Sequence, residues 1–175
     1  MSLSDVSRRV PPPAQPVGAG SAPEWRAAEA KLGLELPVDY KQLVSTYGLG
    51  RFADFLTIFT PFADNEYVNL LAQPELSLEA YRALRAGHPD VAPYPAYPEP
   101  GGLLSWAQSD NGDVIYWLTE GSADTWPIVL IESRHGMIER YDVPTTDFLA
   151  QVLDGRLPTR ILPRDLNEDA SFTSL

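Results

Sequence analysis

Residues 102–142, GLLSWAQSDNGDVIYWLTEGSADTWPIVLIESRHGMIERYD, constrain the fold more than any other stretch of the chain. Four runs of strand-forming residues follow one another there: Leu103 to Gln108, Val114 to Leu118, Ile128 to Ile131 and Met137 to Tyr141. Asn111-Gly112 lies between the first two. An Asn-Gly pair tolerates the positive φ angles of a type I′ turn, so the spacing predicts a hairpin there, with Gly112 as a backbone requirement. Connections this short force antiparallel pairing, because parallel neighbours need crossovers of a dozen residues or more. The expected core is therefore a four-stranded antiparallel meander.

The flanking sequence supplies helices. Ser21 and Glu24 form a capping-box pattern ahead of a helix over Glu24–Leu32 that should stop at Gly33. Pro37 suits the first turn of a second helix ending before Gly48, with Val38, Tyr40, Leu43, Val44 and Tyr47 on its apolar face. Phe55 to Phe59 reads as one early strand and Asp64 to Leu71 as the start of a short helix. Leu78 to Ala86 reads as a helix capped by Ser77, and Thr146 to Leu153 as a closing helix. Pro89, Pro93, Pro95, Pro98 and Pro100 restrict the segment before Gly101 to an extended surface loop. The fold class that results is α+β, an antiparallel twisted sheet of a four-stranded meander plus an early strand, with helices packed against it. Residues 1–21, rich in Pro, Gly and Ala, are expected to form a disordered arm. Residues 22–162 form a single domain on this reading, and residues 163–175 a flexible polar tail.

Composition excludes several classes of function. The chain has 175 residues, a formal net charge of −11 and no cysteine, which removes disulfides, thiolate chemistry and sulfur-ligated zinc. No secretory signal pattern or apolar run long enough to span a membrane is present, so a cytoplasmic protein with no membrane partner is expected. The negative charge argues against nucleic-acid binding. Gly48-Leu49-Gly50-Arg51-Phe52-Ala53 matches the letters of a dinucleotide fingerprint, but it follows a helix and precedes a strand, the reverse of what pyrophosphate binding needs. No cofactor is expected. A metal-dependent hydrolase would have to rest on Asp110, Asp113 and His135, but the Asp110–Asp113 spacing lacks the alternating ligands of a calcium loop, and His135 with Glu139 has no third ligand in an obvious register.

Charge patterning is more informative. From Ala86 to Ser133 the sequence has no Lys or Arg, while Asp90, Glu99, Asp110, Asp113, Glu120, Asp124 and Glu132 fall within that span. The reading this supports is a negative surface for a basic protein partner, carried by Asp110, Asp113, Glu120 and Asp124. Trp126, in the loop after Glu120, is either an apolar anchor beside them or a packing lid. In a simple meander the turn at Asn111-Gly112 and the loop over Glu120 to Asp124 lie at opposite ends of the strands. The proline-rich loop around Tyr94 and Tyr97 is the alternative surface.

Trp25, Glu29, Leu32-Gly33, Leu36-Pro37-Val38-Asp39-Tyr40, Leu43 and Tyr47-Gly48-Leu49-Gly50 resemble the opening of the Smi1/Knr4-like SUKH superfamily. Phe55 to Pro61, Asp113 to Trp117, Trp126-Pro127 and Phe148-Leu149 continue the resemblance, which spans about residues 23–155. It implies an α+β fold and a non-catalytic protein-binding role. Bacterial members of the superfamily are immunity proteins that neutralise a toxin, and fungal members regulate cell-wall synthesis and signalling. The first implies a toxin partner, with a nuclease fitting the acidic charge; the second implies a regulatory or scaffolding module. No catalytic residue carries over.

Overall fold

The computed structural model describes residues 2–168 and 170–175. Its strands are β1 (Gly50–Phe52), β2 (Leu56–Ile58), β3 (Leu103–Ser109), β4 (Val114–Leu118), β5 (Ile128–Ile131), β6 (Ile138–Tyr141) and β7 (Phe172–Ser174). They form one sheet of seven strands in the order β6-β5-β4-β3-β2-β1-β7, each neighbour antiparallel. The helices are α1 (Leu3–Arg9), α2 (Ala22–Leu32), α3 (Val38–Tyr47), α4 (Gln73–Gly87) and α5 (Thr145–Leu153). The α+β class and the meander β3–β6 stand as the sequence implies, and the sheet extends further than expected.

Alternation along the strands divides the core into two layers. Trp106, Ile115, Trp117, Ile128 and Leu130 are buried in a cluster that also takes side chains from α1, α2, α3 and α5. Leu103, Tyr116, Leu118 and Val129, from the opposite face, are buried with Leu78 and Tyr81 of α4 and with Ala92 and Ala96 of the proline-rich loop. Trp117 is central to the larger layer. It stacks on Trp106 with centroids 5.6 Å apart, meets the edge of Tyr40 at 4.8 Å, and donates its indole N–H to Thr145 Oγ1 at 3.0 Å.

The Leu36–Tyr40 motif fixes this layer. Pro37 is the N-cap of α3. Asp39 Oδ2 accepts from the Thr146 N–H at 2.8 Å and the Thr146 hydroxyl at 3.1 Å, so it caps the first turn of α5 from another helix. Tyr40 is fully buried and donates its hydroxyl to the Phe59 carbonyl. That burial pushes its pKa well above the ordinary phenol value. Glu29 ties the α2–α3 loop by accepting from the Leu36 N–H at 2.9 Å and Lys41 Nζ at 2.7 Å. Val38, expected on the apolar face, is 48% exposed instead.

The turn geometry differs from expectation. Gly112 has φ +87°, but Asn111 is not among the positive-φ residues, and the Gly112 N–H bonds the Ser109 carbonyl at 2.9 Å while the Ser109 N–H bonds the Asp113 carbonyl at 2.8 Å. That is a three-residue loop whose last residue is left-handed rather than a two-residue type I′ turn. Two consecutive positive φ angles occur instead at Ala53 (52°) and Asp54 (45°), which close the β1–β2 hairpin. Asp54 tolerates the left-handed region, but no Gly or Asn accompanies it, so β1 is only weakly marked in the sequence. The helix expected at Leu78 begins earlier, at Gln73, and Ser77 lies inside it with its hydroxyl on the Gln73 carbonyl at 2.8 Å.

The chain ends also depart from the disordered arm and flexible tail. Helix α1 packs on α5 and buries Val6 and Val10, and Tyr47 donates its hydroxyl to the Val10 carbonyl at 2.6 Å. At the other end β7 extends the sheet beyond β1. Apolar anchors within a polar or proline-rich stretch account for both, because a few buried side chains suffice to dock a segment. Of those two expected segments, Met1 and Asp169 lie outside the described residues. Gly48 and Gly50 are where both ends meet the domain. A Cβ on Gly48 would lie 2.2 Å from the Val17 carbonyl oxygen, and one on Gly50 would lie 2.2 Å from the Phe172 ring and 2.5 Å from the Thr173 carbonyl oxygen. The pair that imitates a nucleotide motif is a seat for two backbones.

Candidate functional site

The β3–β4 turn and the β4–β5 connection do lie at opposite ends of the strands, so the candidate acidic residues form two groups. At the β3–β4 end, Asp113 is only 3% exposed. Its carboxylate accepts the Ser109 hydroxyl at 2.7 Å and the Ser133 N–H at 3.0 Å, while its own N–H bonds Ser109 Oγ at 3.0 Å. Asp113 fastens the β3–β4 turn to the β5–β6 loop, which corrects its expected place on the partner face. Asp110 is exposed, yet it is ion-paired with Arg51. Glu132 pairs with His135 Nδ1 at 3.1 Å, and that hydrogen bond holds the Glu132 pKa below its ordinary value. Asp110, Asp113 and His135 thus each turn to a different partner, and among the described residues no three His, Cys, Asp or Glu side chains converge as ligands.

At the other end, Trp126 is 4% exposed and tilts against Trp117 with centroids 6.0 Å apart, its indole N–H directed at the Gly121 carbonyl at 3.4 Å. It is a lid on the tryptophan cluster and not an exposed anchor, because its rings are already covered by the fold. Asp124 is exposed, and its Oδ1 accepts the Val38 N–H at 2.8 Å, occupying the N-terminus of α3. Glu120 is exposed and its side chain lies over Gly101.

Beside Glu120 the proline-rich loop and the C-terminus of α2 form a groove that sequence reasoning did not anticipate, although Tyr97 was marked as an alternative. One cavity of about 340 Å³ is lined by Leu34, Tyr97, Glu99, Gly101 and Thr119 among others. It shares Leu32, Tyr97 and Pro98 with a second of about 520 Å³ that runs on past Lys31, Pro74, Glu75 and Arg82. The walls are fixed from inside. Tyr97 donates its hydroxyl to the Leu32 carbonyl at 2.6 Å, and the Arg82 guanidinium donates to the carbonyls of Pro74 and Tyr97. Glu99 on the rim pairs with Arg85 at 3.1 Å, whereas the Glu75 and Glu120 carboxylates have no partner among the described residues. Leu32, Leu34, Leu71 and Pro98 give the groove apolar wall, and its margin carries unpaired carboxylates beside Lys31 and Arg82, so it can take a protein segment that presents an apolar side chain flanked by charged ones. The sequence signal for it was the proline-rich loop, itself free of Lys and Arg, whereas Lys31 and Arg82 reach the groove from α2 and α4.

Among the described residues no helix is long and apolar enough to cross a membrane. A family model described as SUKH_6, SMI1-KNR4 cell-wall, matches residues 23–149. No curated protein and no solved structure matches the chain.

Proposed function

This chain belongs to the SMI1-KNR4 cell-wall family, and from that premise we propose that it is a non-catalytic, cytoplasmic binding domain that neutralises a cognate toxin by occupying the toxin's basic surface. The observation that carries the reading is the groove between α2, α4 and the proline-rich loop, with Glu75, Glu99 and Glu120 at its margin. Lys31 and Arg82 also line the groove, so attraction of a basic partner such as a nuclease domain over distance comes from the whole chain's charge of −11, with Glu75 and Glu120 as the unpaired carboxylates in contact. An inhibitor of this kind needs no reacting group. It has only to cover the cationic surface that would otherwise hold phosphates.

The test is co-purification with the product of the neighbouring gene, followed by association rates across salt concentration. Reversing Glu75, Glu99 and Glu120 to Arg should slow association about tenfold or more at low salt and flatten its salt dependence, with dissociation less affected. Reversing Asp110 serves as the control from the far end. An unchanged rate for the triple variant and a reduced one for Asp110→Arg would place the interface at the β3–β4 end. A neighbour that binds without being inhibited supports the regulatory or scaffolding role instead.

A further inference from the structure

Strand β7 lies on the outer edge of β1 with little of itself buried. Gly50, Arg51 and Phe52 face Ser174, Thr173 and Phe172 in register. On either side of this ladder the Ala53 N–H bonds the Ser171 carbonyl at 2.9 Å, and the Leu175 N–H bonds the Leu49 carbonyl at 3.2 Å. Of residues 171–175 only Phe172 is part-buried, its ring against Tyr47 and Phe52 with centroids 5.1 and 4.9 Å apart; the other four are exposed. The seat nevertheless matches this segment closely. A Cβ on Gly50 would run into the Phe172 ring and lie 2.5 Å from the Thr173 carbonyl oxygen. Thr173 donates its hydroxyl to Asp54 Oδ1 at 2.8 Å. Ala53 and Asp54 hold consecutive positive φ angles, which Ala in particular tolerates poorly, and the segment bonds to both.

We propose that this seat is a strand-exchange site, at which residues 170–175 of one copy leave their own β1 and occupy β1 of a second copy, which returns its own segment in the same way. The occupant is identified by the contact itself, because a second copy carries the segment that is seen to fit there. Detachment gives up a three-residue ladder at a solvent-facing edge and one part-buried ring, which places β7 among the parts of the fold that open most easily. Once free, the edge of β1 presents unpaired backbone groups, the Ala53 N–H and the Asp54 carboxylate among them, and an edge of that kind draws in another strand. The side chains of residues 171–175 carry no charge, so none adds to the repulsion between two chains of net charge −11. Leu166 is buried and the Asn167 carbonyl accepts from Arg9, which anchors the chain up to that point. Residues 168–175 reach roughly 26 Å when extended, at about 3.3 Å each, enough to cross to a neighbouring copy. Exchange replaces each contact by its equal, so concentration sets the balance. A segment on a short tether has an effective concentration on the order of 1 mM, and the closed chain prevails well below that. None of the residues in this seat lines the groove proposed for the toxin, so the two interactions are independent.

The chain has no native cysteine, so exchange can be read from disulfides between single-cysteine variants of the full chain. Arg51 and Thr173 face each other in register. An Arg51→Cys protein is mixed with a Thr173→Cys protein under mild oxidation at about 0.15 M salt, where charge repulsion is screened beyond roughly 8 Å. The mixed disulfide should form at least about tenfold faster than either protein forms its own, and its yield should rise steeply as the concentration approaches about 1 mM. Adding Gly50→Ala to the Arg51→Cys protein should bring the mixed rate down to that of the homodimers, because the new methyl group fills the place of the incoming Phe172 and Thr173. Adding Phe172→Ala to the Thr173→Cys protein should slow it about tenfold by removing the ring that fills the seat. Circular dichroism of each variant confirms that the comparison is between folded chains. A mixed disulfide that forms no faster than the homodimers would overturn the proposal. So would one whose rate is untouched by both added substitutions, since the segment would then meet the second copy somewhere other than β1.

Discussion

Replacing Asp113 with alanine separates a residue that holds the fold from one that meets a partner. In the structure its carboxylate accepts the Ser109 hydroxyl at 2.7 Å and the Ser133 N–H at 3.0 Å, with 3% of the residue exposed. A hydrogen bond to a charged group contributes roughly 1.5–3 kcal/mol. The bond from Ser109 is shielded, as Ser109 is itself buried, whereas Ser133 is exposed and water can replace part of what it loses. The sum for Asp113→Ala is therefore about 2–3 kcal/mol, and a chain of this size converts that to a fall in thermal midpoint of about 4–12 °C. Asp110→Ala, only three positions away, removes an ion pair with a carboxylate side chain that is 53% exposed, and should cost under about 1 kcal/mol. Urea and thermal unfolding followed by circular dichroism measure both. A double-mutant cycle with Ser109→Ala should return a coupling energy of about 1 kcal/mol or more between the two residues. If Asp113→Ala unfolds like the wild type while losing a partner, Asp113 turns outward in the bound state and the structural assignment fails.

Removing residues 1–21 should lower the thermal midpoint by about 6 °C or more, because it strips two fully buried valines, Val6 and Val10, from the layer beside α3 and α5; an unchanged midpoint would show that α1 is not docked in solution. Stability should also fall as the pH rises above 10. Tyr40 and Tyr116 are buried and their pKa values lie above the phenol value of 10.0, so the unfolded chain releases those protons first and their contribution, complete below pH 10, is lost with further alkalinity. Tyr40→Phe should flatten that slope by up to about 1.4 kcal/mol per pH unit in urea unfolding, and an identical slope would remove Tyr40 from the account.

The meander and the principal helices were legible because their causes are local. Val114 to Leu118 and Ile128 to Ile131 are continuous apolar runs that a sheet buries on both faces, and Gly112 and Gly33 mark chain reversals by the φ angles they tolerate. Ser21 and Glu24 form the capping box that their spacing indicates. The same local reasoning separates Asn111-Gly112 from ordinary coil, although it picks the wrong turn type, since Asp110 joins the loop and takes a place that an isolated pair cannot reveal.

What the sequence did not reveal depends on residues far along the chain. Gly48 and Gly50 read as a helix exit until Val17 and Phe172 arrive beside them from the two ends of the chain. Asp113 resembles any solvated turn carboxylate until the β5–β6 loop brings Ser133, twenty residues later, to its second oxygen. Trp126 could serve as lid or anchor until Trp117 and Gly121 enclose it, and Asp39 gains a role only when α5 starts above it. Charge, apolar period and turn chemistry are properties of short segments, so the sequence by itself determined the class of fold, its strand order in the meander and its acidic character. Which carboxylates are consumed inside the fold, and which remain at the surface, was decided by tertiary structure, because a buried polar group is stable only where distant backbone and hydroxyl partners replace the water it gives up.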